Sequence, residues 1–199
     1  MKVSMKLPAN YYNALRVAVA KDDVRYYLNG IYVDFENNRW CATNGHRLLT
    51  VSFDAGDNII PWTKKDKLHI KNIILPITHR KVATECVIDM VLNGESWTIT
   101  ARNIKNDKEV WAEMLTPIDG KFPDVSRVTP PWPEKDPETV PFAAYNPSYV
   151  SDVAHELCSA NKTFVVARVL STEKGGSALV DFRGIERSLV TYVLMPMRW

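Results

Sequence analysis

The sequence predicts an α+β chain built from three copies of one plan: a strand, a helix or its remnant, and then several strands. Two observations carry this prediction. Apolar residues at helical spacing are followed, near both ends of the chain, by short runs rich in β-branched and aromatic residues. Each unit also opens on a proline pair, at Leu7-Pro8, Leu75-Pro76 and Asn146-Pro147, repeated about every 70 residues. With 199 residues and 46% hydrophobic content, the chain can bury a sizeable core.

In the first unit, Tyr11, Ala14, Leu15, Ala18 and Val19 fall at i, i+3, i+4, i+7 and i+8 within residues 8–21, one apolar stripe suited to lie on a sheet. Strands are expected at 26–28, 31–35, 40–43 and 47–53, with a polar turn at 36–38. The second unit opens with a strand at 72–77, and residues 78–85 have room for at most two helical turns. A hairpin follows, 86–92 and 96–101, because Asn93-Gly94 tolerates the positive φ angles of a tight turn. In the third unit Asn146 suits an N-cap and Pro147 the first helical position. Tyr149, Val150, Val153, Leu157 and Cys158 form that helix's apolar face, and strands are expected at 163–170, 177–182 and 188–194, with turns at 174–176 and around Gly184. Residues 129–141 hold five of the twelve prolines and are expected to be a connector, dividing a two-unit block of residues 1–128 from a single unit of residues 142–199.

Composition narrows the function. No apolar run approaches the roughly 20 residues of a membrane-spanning helix, and the first residues lack a signal-peptide pattern, so the expectation is a cytoplasmic protein with no membrane partner. Cys41, Cys86 and Cys158 are far apart and odd in number, which reads as small buried apolar residues. His46, His69, His79 and His155 share no ligand spacing, and no nucleotide-binding or nucleophile motif occurs; neither an enzyme, a metal nor a cofactor is expected. A net charge of +2 does not by itself announce a nucleic-acid binder.

Three segments admit two readings each. Thr43-Asn44-Gly45-His46-Arg47 is a hairpin with a surface pair or a turn that presents His46 and Arg47. Lys64, Lys65, Lys67 and Lys71, with Arg80 and Lys81, are a solvated strand edge or a stripe that faces phosphates. The apolar C-terminal run, residues 192–199, is core or a peptide-binding surface in which methionines adapt to varied ligands.

The segments VRYYLNG (24–30), ATNGHRLL (42–49), GKFPDVSRV (120–128), YNPSYV (145–150) and YVLMPMR (192–198), in that order, closely resemble the beta subunit of bacterial DNA polymerase III, the sliding clamp. The resemblance implies a fold of βαβββ half-domain repeats whose helices line a DNA channel. It implies about one and a half clamp domains: residues 1–128 resemble the middle domain, and residues 142–199 the second half of the last. It also implies a processivity factor that binds short linear peptides of polymerases and repair proteins, contacts double-stranded DNA weakly and non-specifically, and forms a homo-oligomer. A non-encircling adaptor or decoy that binds the same peptides is the alternative.

Carried over by motif, the deep apolar part of the peptide pocket is Leu48, Pro123, Val128, Val193 and Met195, with Leu28, Thr43, Gly45, His46 and Arg47 as one wall. Arg127, Asn146, Tyr149, Pro196, Met197 and Arg198 complete the groove, while Trp199 departs from the aliphatic end the family implies. The DNA-facing cations carried over are Arg16, Lys21, Arg80 and Lys81.

Overall fold

Strand β1 (Lys2–Pro8) runs directly into helix α1 (Ala9–Ala18), because Pro8 keeps an extended ψ of 144° while its ring fixes a φ of −55° that the helix can follow. The computed structural model describes residues 2–55, 72–77, 80–93, 96–133, 143–158, 165–171 and 176–197. Helix α1 buries Ala14, Leu15 and Ala18 as the stripe predicts, and also Ala9, Tyr12 and Asn13, whereas Tyr11 is half-buried.

Strands β2 (Gly30–Asp34), β3 (Arg39–Thr43), β4 (Arg47–Ser52), β5 (Ile73–Pro76), β6 (Cys86–Asn93) and β7 (Ser96–Asn103) lie where the patterning places them. The β6–β7 register closes Asn93 onto Ser96, and Gly94 lies outside the described residues. Three local expectations are corrected. Residues 26–28 form a 3-10 turn in place of a strand, held by the Leu28 N–H on the Arg25 carbonyl at 2.8 Å. Strand β8 (Glu109–Leu115) and the single turn α2 (Val125–Val128), capped by Asp124, were not anticipated. Residues 80–85 contain no helix.

The third unit begins with helix α3 (Pro147–Cys158), and Asn146 Oδ1 accepts the Ser148 N–H at 3.0 Å. Strands β9 (Ala167–Ser171), β10 (Ala178–Phe182) and β11 (Val190–Leu194) follow, and Gly184 takes a positive φ of 80° in the turn between the last two. The lysines at 64, 65, 67 and 71, together with His69 and His79, lie outside the described residues, as do most of the connector, Arg198 and Trp199.

The strands form a four-stranded sheet, β1-β6-β7-β8, and a seven-stranded sheet, β5-β2-β3-β4-β11-β10-β9. The units are interleaved: β1 of the first completes the strands of the second, and β5 of the second completes those of the first. First and third units meet where β4 pairs antiparallel with β11, from Arg47 opposite Leu194 to Val51 opposite Val190.

Helix α1 packs beside α3, so the second unit, whose residues 80–85 form no helix, borrows that of the third. Segment 80–85, irregular chain that ends in a turn, lies against α1, where buried Asn13 takes over its backbone polarity: Asn13 Nδ2 donates to the Val82 carbonyl at 2.7 Å, and Asn13 Oδ1 accepts the Val82 N–H at 3.0 Å.

The main core, with Trp40, Trp97, Tyr12 and Tyr192, lies between the helices and the inner faces of both sheets. A second, smaller cluster lies on the other face of the seven-stranded sheet. Strand alternation separates the two: Leu49, Val51, Tyr192 and Leu194 enter the first, Leu48 and Val193 the second. The three cysteines are buried and free, and burial raises the Cys41 thiol pKa, which keeps it protonated and inert.

Candidate peptide-binding surface

The second cluster gathers side chains from distant stretches of sequence, four of which bear on the site. Leu28 comes from the 3-10 turn, Leu48 from β4, Phe122 and Val125 from the segment entering α2, and Val193 from β11; all are buried, and Val128 and Met195 pack half-buried against them. Leu48 and Val193 stand directly opposite in the β4–β11 pairing. Each apolar side chain withdrawn from water here is worth about 1.5–3 kcal/mol.

The rim is set by the turn that leads into β4. Asn44 Oδ1 accepts the N–H groups of His46 and Arg47 at 2.9 and 3.1 Å, while the Thr43 hydroxyl donates to the Arg47 carbonyl at 2.6 Å and accepts the Gly45 N–H at 3.1 Å. Gly45 has a φ of 88°, in the left-handed region that favours glycine, and a β-carbon there would lie 2.8 Å from the tip of the flexible Arg25 side chain, which would have to shift. Arg25 in turn forks onto Asp23 at 2.7 Å and holds that carboxyl down at about 2. The Met195 N–H donates to the His46 carbonyl at 2.9 Å, which fixes the C-terminal segment against the turn, and the Met197 N–H donates to the Ala144 carbonyl at 2.8 Å.

Of the residues carried over by motif, the structure thus brings Leu28, Leu48, Val128, Val193 and Met195 into one cluster, with Thr43, Gly45 and His46 beside it. Pro196 is half-buried and Met197 is 52% exposed. Pro123 and Arg127 are exposed, Arg127 paired with Asp124 at 3.4 Å, and both line a polar groove of about 400 Å³ that also touches Tyr32, Phe122 and Val125. Asn146 is half-buried as the α3 cap, and Tyr149 stands in the first turn of that helix, its ring 6.5 Å from that of His46.

Arg47 does not share a wall with Leu48. It points to the helix side, where its guanidinium donates to the Val17 carbonyl, lies 4.6 Å above the Tyr149 ring and pairs with Asp152 at 3.6 Å. The Tyr149 carbonyl accepts from the Tyr192 hydroxyl at 2.9 Å, and burial raises that phenol's pKa against the opposing pull of Arg47. Arg47 is therefore a strut between α1, α3 and β4.

Sequence reasoning passed over Phe122 and Tyr32, which stack with ring centroids 4.6 Å apart, and Trp132, which packs on the same cluster under Arg187. An aromatic residue just before a Pro-Asp helix start was the available signal for Phe122.

The DNA-facing cations fall into two groups. Half-buried Arg16 and exposed Lys21 border a groove of about 470 Å³ with Asp22 and Asn29. Arg80 and Lys81 are exposed on the strap over α1, and Lys81 is tied to Glu156 of α3 at 2.7 Å. Among the described residues no cluster of metal-ligating groups occurs, and no helix is long and apolar enough to cross a membrane.

Residues 2–124 match the family model described as the DNA polymerase III beta subunit, central domain. The beta sliding clamp of Proteus mirabilis is 33% identical over 123 residues, covering 59% of this chain and 30% of that protein. The beta sliding clamp of Escherichia coli K12 is 32% identical over 127 residues, covering 61% of this chain and 31% of that protein. The matches therefore span less than a third of those relatives' length. Among solved structures, the DNA polymerase III beta subunit of Pseudomonas aeruginosa superposes with a TM-score of 0.60 at 21% identity, over 99% of this chain and 67% of that one. The Helicobacter pylori beta clamp bound to a DNA ligase peptide gives a TM-score of 0.52 at 12% identity, over 99% and 65%. These likenesses show the sliding-clamp fold.

Proposed function

Since the chain belongs to the DNA polymerase III beta subunit, or sliding clamp, family, we propose that it acts as a clamp-like processivity factor, holding polymerases and repair proteins through short linear peptides and tethering them to DNA. The second apolar cluster carries this reading: Leu48 and Val193 form its floor, and half-buried Val128 and Met195 leave apolar surface within reach of a ligand. An extended peptide with large apolar anchors suits such a surface, with the anchors seated on the floor and His46, Asn146 and Arg127 supplying polar partners at its margin. One solved relative of the same fold is titled as a clamp bound to a DNA ligase peptide. Residues 1–128 act in this reading as the clamp-like domain and residues 142–199 as the half-domain that closes the groove. No catalytic residue, metal or cofactor is part of the proposal, and it places the protein in the cytoplasm with DNA.

A peptide with a glutamine followed by leucine and phenylalanine anchors should bind with a Kd of about 1–100 μM, near −8 to −5 kcal/mol, in a fluorescence-polarisation titration. No saturation up to millimolar peptide would remove the assignment. Met195→Ala should weaken that binding by about 1–3 kcal/mol with the circular dichroism spectrum unchanged.

The adaptor reading has one observation in its favour. Lys81 is held by Glu156, and Asp152 adds a second carboxylate on the same helix, so the helix side offers DNA few uncompensated cations. DNA association should accordingly be weak and lost on adding salt, and Arg16→Glu should abolish it at low salt while leaving peptide affinity unchanged. Absence of any DNA binding by the wild type at low salt would put the adaptor ahead of the clamp.

A further inference from the structure

We propose that the chain carries its own occupant for the apolar surface: Trp132, at the start of the connector, lies on the second cluster where a ligand's anchor would seat, and an incoming peptide must displace it. The inference rests on the peptide-binding reading and adds what keeps that site covered when no peptide is bound.

The floor is already withdrawn from water. Leu48 is 3% exposed and Val193 is fully buried. The apolar row continues across the sheet, with Leu179 opposite Val193 and Leu170 opposite Leu179, both buried. Alternation keeps these four side chains on the face turned away from the helices, and such a face stays dry only where something lies on it.

Val128, Met195 and Trp132 all pack half-buried on this cluster, but they are not equally anchored. Val128 closes α2, where the Thr129 hydroxyl donates to the Val125 carbonyl at 2.8 Å, and Met195 is bonded to the His46 carbonyl. Trp132 stands between Pro131 and Pro133, neither of which has an N–H to donate. Among the described residues, no main-chain hydrogen bond ties 130–133 to the rest of the chain.

What holds the ring is a side chain. The Arg187 guanidinium lies 4.7 Å from its centroid and is itself fixed by Asp181 at 2.6 Å. Asp181 is two residues along β10 from Leu179 and shares its face, so the ring is held beside the apolar row. A ring seated by packing and one cation can lift without breaking the backbone ladder. While seated, it lowers the apparent affinity for a peptide by the fraction of molecules in which the surface is open.

Titration with the glutamine, leucine and phenylalanine peptide, which contains no tryptophan, should shift the wild-type tryptophan emission to the red as the Trp132 ring enters water. The chain has six tryptophans, so Trp132→Phe identifies the source by abolishing the shift. Trp132→Ala should bind the same peptide about 3–30-fold more tightly, and Arg187→Ala should tighten it by less. Both should bind more of the apolar dye anilinonaphthalene sulfonate than the wild type, with unchanged circular dichroism. Peptide binding without the red shift would overturn the proposal, and this readout needs only the wild type and the phenylalanine variant. Equal or weaker peptide binding by folded Trp132→Ala would overturn it too, by making Trp132 a wall of the groove or a bystander. If neither wild type nor Trp132→Ala binds peptide, the peptide reading falls and the dye decides the cover: a raised dye response in Trp132→Ala upholds it, and an unchanged response overturns it.

Discussion

Asn13→Ala is expected to destabilise the chain by about 2–5 kcal/mol, because both backbone groups of Val82 would lose their partner while staying buried, at about 1–3 kcal/mol each. The side-chain amide stands in for a strand neighbour: it accepts from the Val82 N–H and donates to the Val82 carbonyl, both across 69 residues of sequence. In the second unit this contact stands where the plan has a helix, and the Val82 side chain it holds in place is 2% exposed. Urea unfolding followed by tryptophan fluorescence would measure the loss, and hydrogen exchange at the Val82 amide would locate it. Asn13→Leu distinguishes polarity from volume: it fills the same space but leaves both groups unpaired, and should be no more stable than the alanine variant. A leucine variant as stable as the wild type would show that the hydrogen bonds contribute nothing.

Val193→Asp should be more damaging, by about 4 kcal/mol or more, because it places a carboxylate in an apolar site without a counter-ion. Val193 is fully buried on β11, opposite Leu48 on one side and Leu179 on the other. The substitution should disrupt the strand pair that joins the first and third units and, with it, the floor of the peptide groove. Thermal unfolding and the peptide titration should therefore fail together. Val193→Thr, nearly the same shape, should cost only about 1–3 kcal/mol for its unpartnered hydroxyl, and peptide binding should persist. Peptide binding by a folded Val193→Asp variant at wild-type affinity would show that the groove lies elsewhere.

Most of the architecture was legible because its periodicities are clean. The helical stripe of α1 reports burial directly, β-branched and aromatic enrichment marks β4 as a strand, and the Asn-Gly pair marks the join of β6 and β7. The misreadings have physical reasons. Residues 26–28, two tyrosines and a leucine, have high strand propensity, but Leu28 must turn inward to the second cluster, and the 3-10 turn does that. Strand β8 alternates poorly because six of its seven residues are exposed or half-exposed, so there was no buried face to read. The helix of the second unit fails because α3, from a segment about 70 residues downstream, occupies the neighbouring place, which no local pattern announces. At the site, motif alone picked out Leu28, Leu48, Val128, Val193 and Met195, which cluster, but also Pro123, which is exposed in the polar groove instead of lying in the deep apolar part. Arg47 was legible by alternation alone: adjacent strand residues point to opposite faces, so Arg47 and Leu48 could not both face the groove.

Strand β11 comes late in the sequence yet sits inside the seven-stranded sheet, between β4 and β10. This placement bears on how the chain folds. The Thr50 hydroxyl bonds the Thr191 carbonyl across 141 residues, so closing that pair means gathering the ends of a long loop before any contact rewards it. Such non-local pairing makes for slow folding, and refolding should be limited by the arrival of β11, on a scale of milliseconds to seconds or longer. Until it arrives, β4 offers an open edge with Leu49 and Val51 uncovered, and that intermediate is the species most prone to aggregate. A crowded or concentrated refolding mixture should therefore lose material in proportion to the lifetime of that open edge, and conditions that speed the meeting of β4 and β11 should rescue yield without changing the stability of the folded protein.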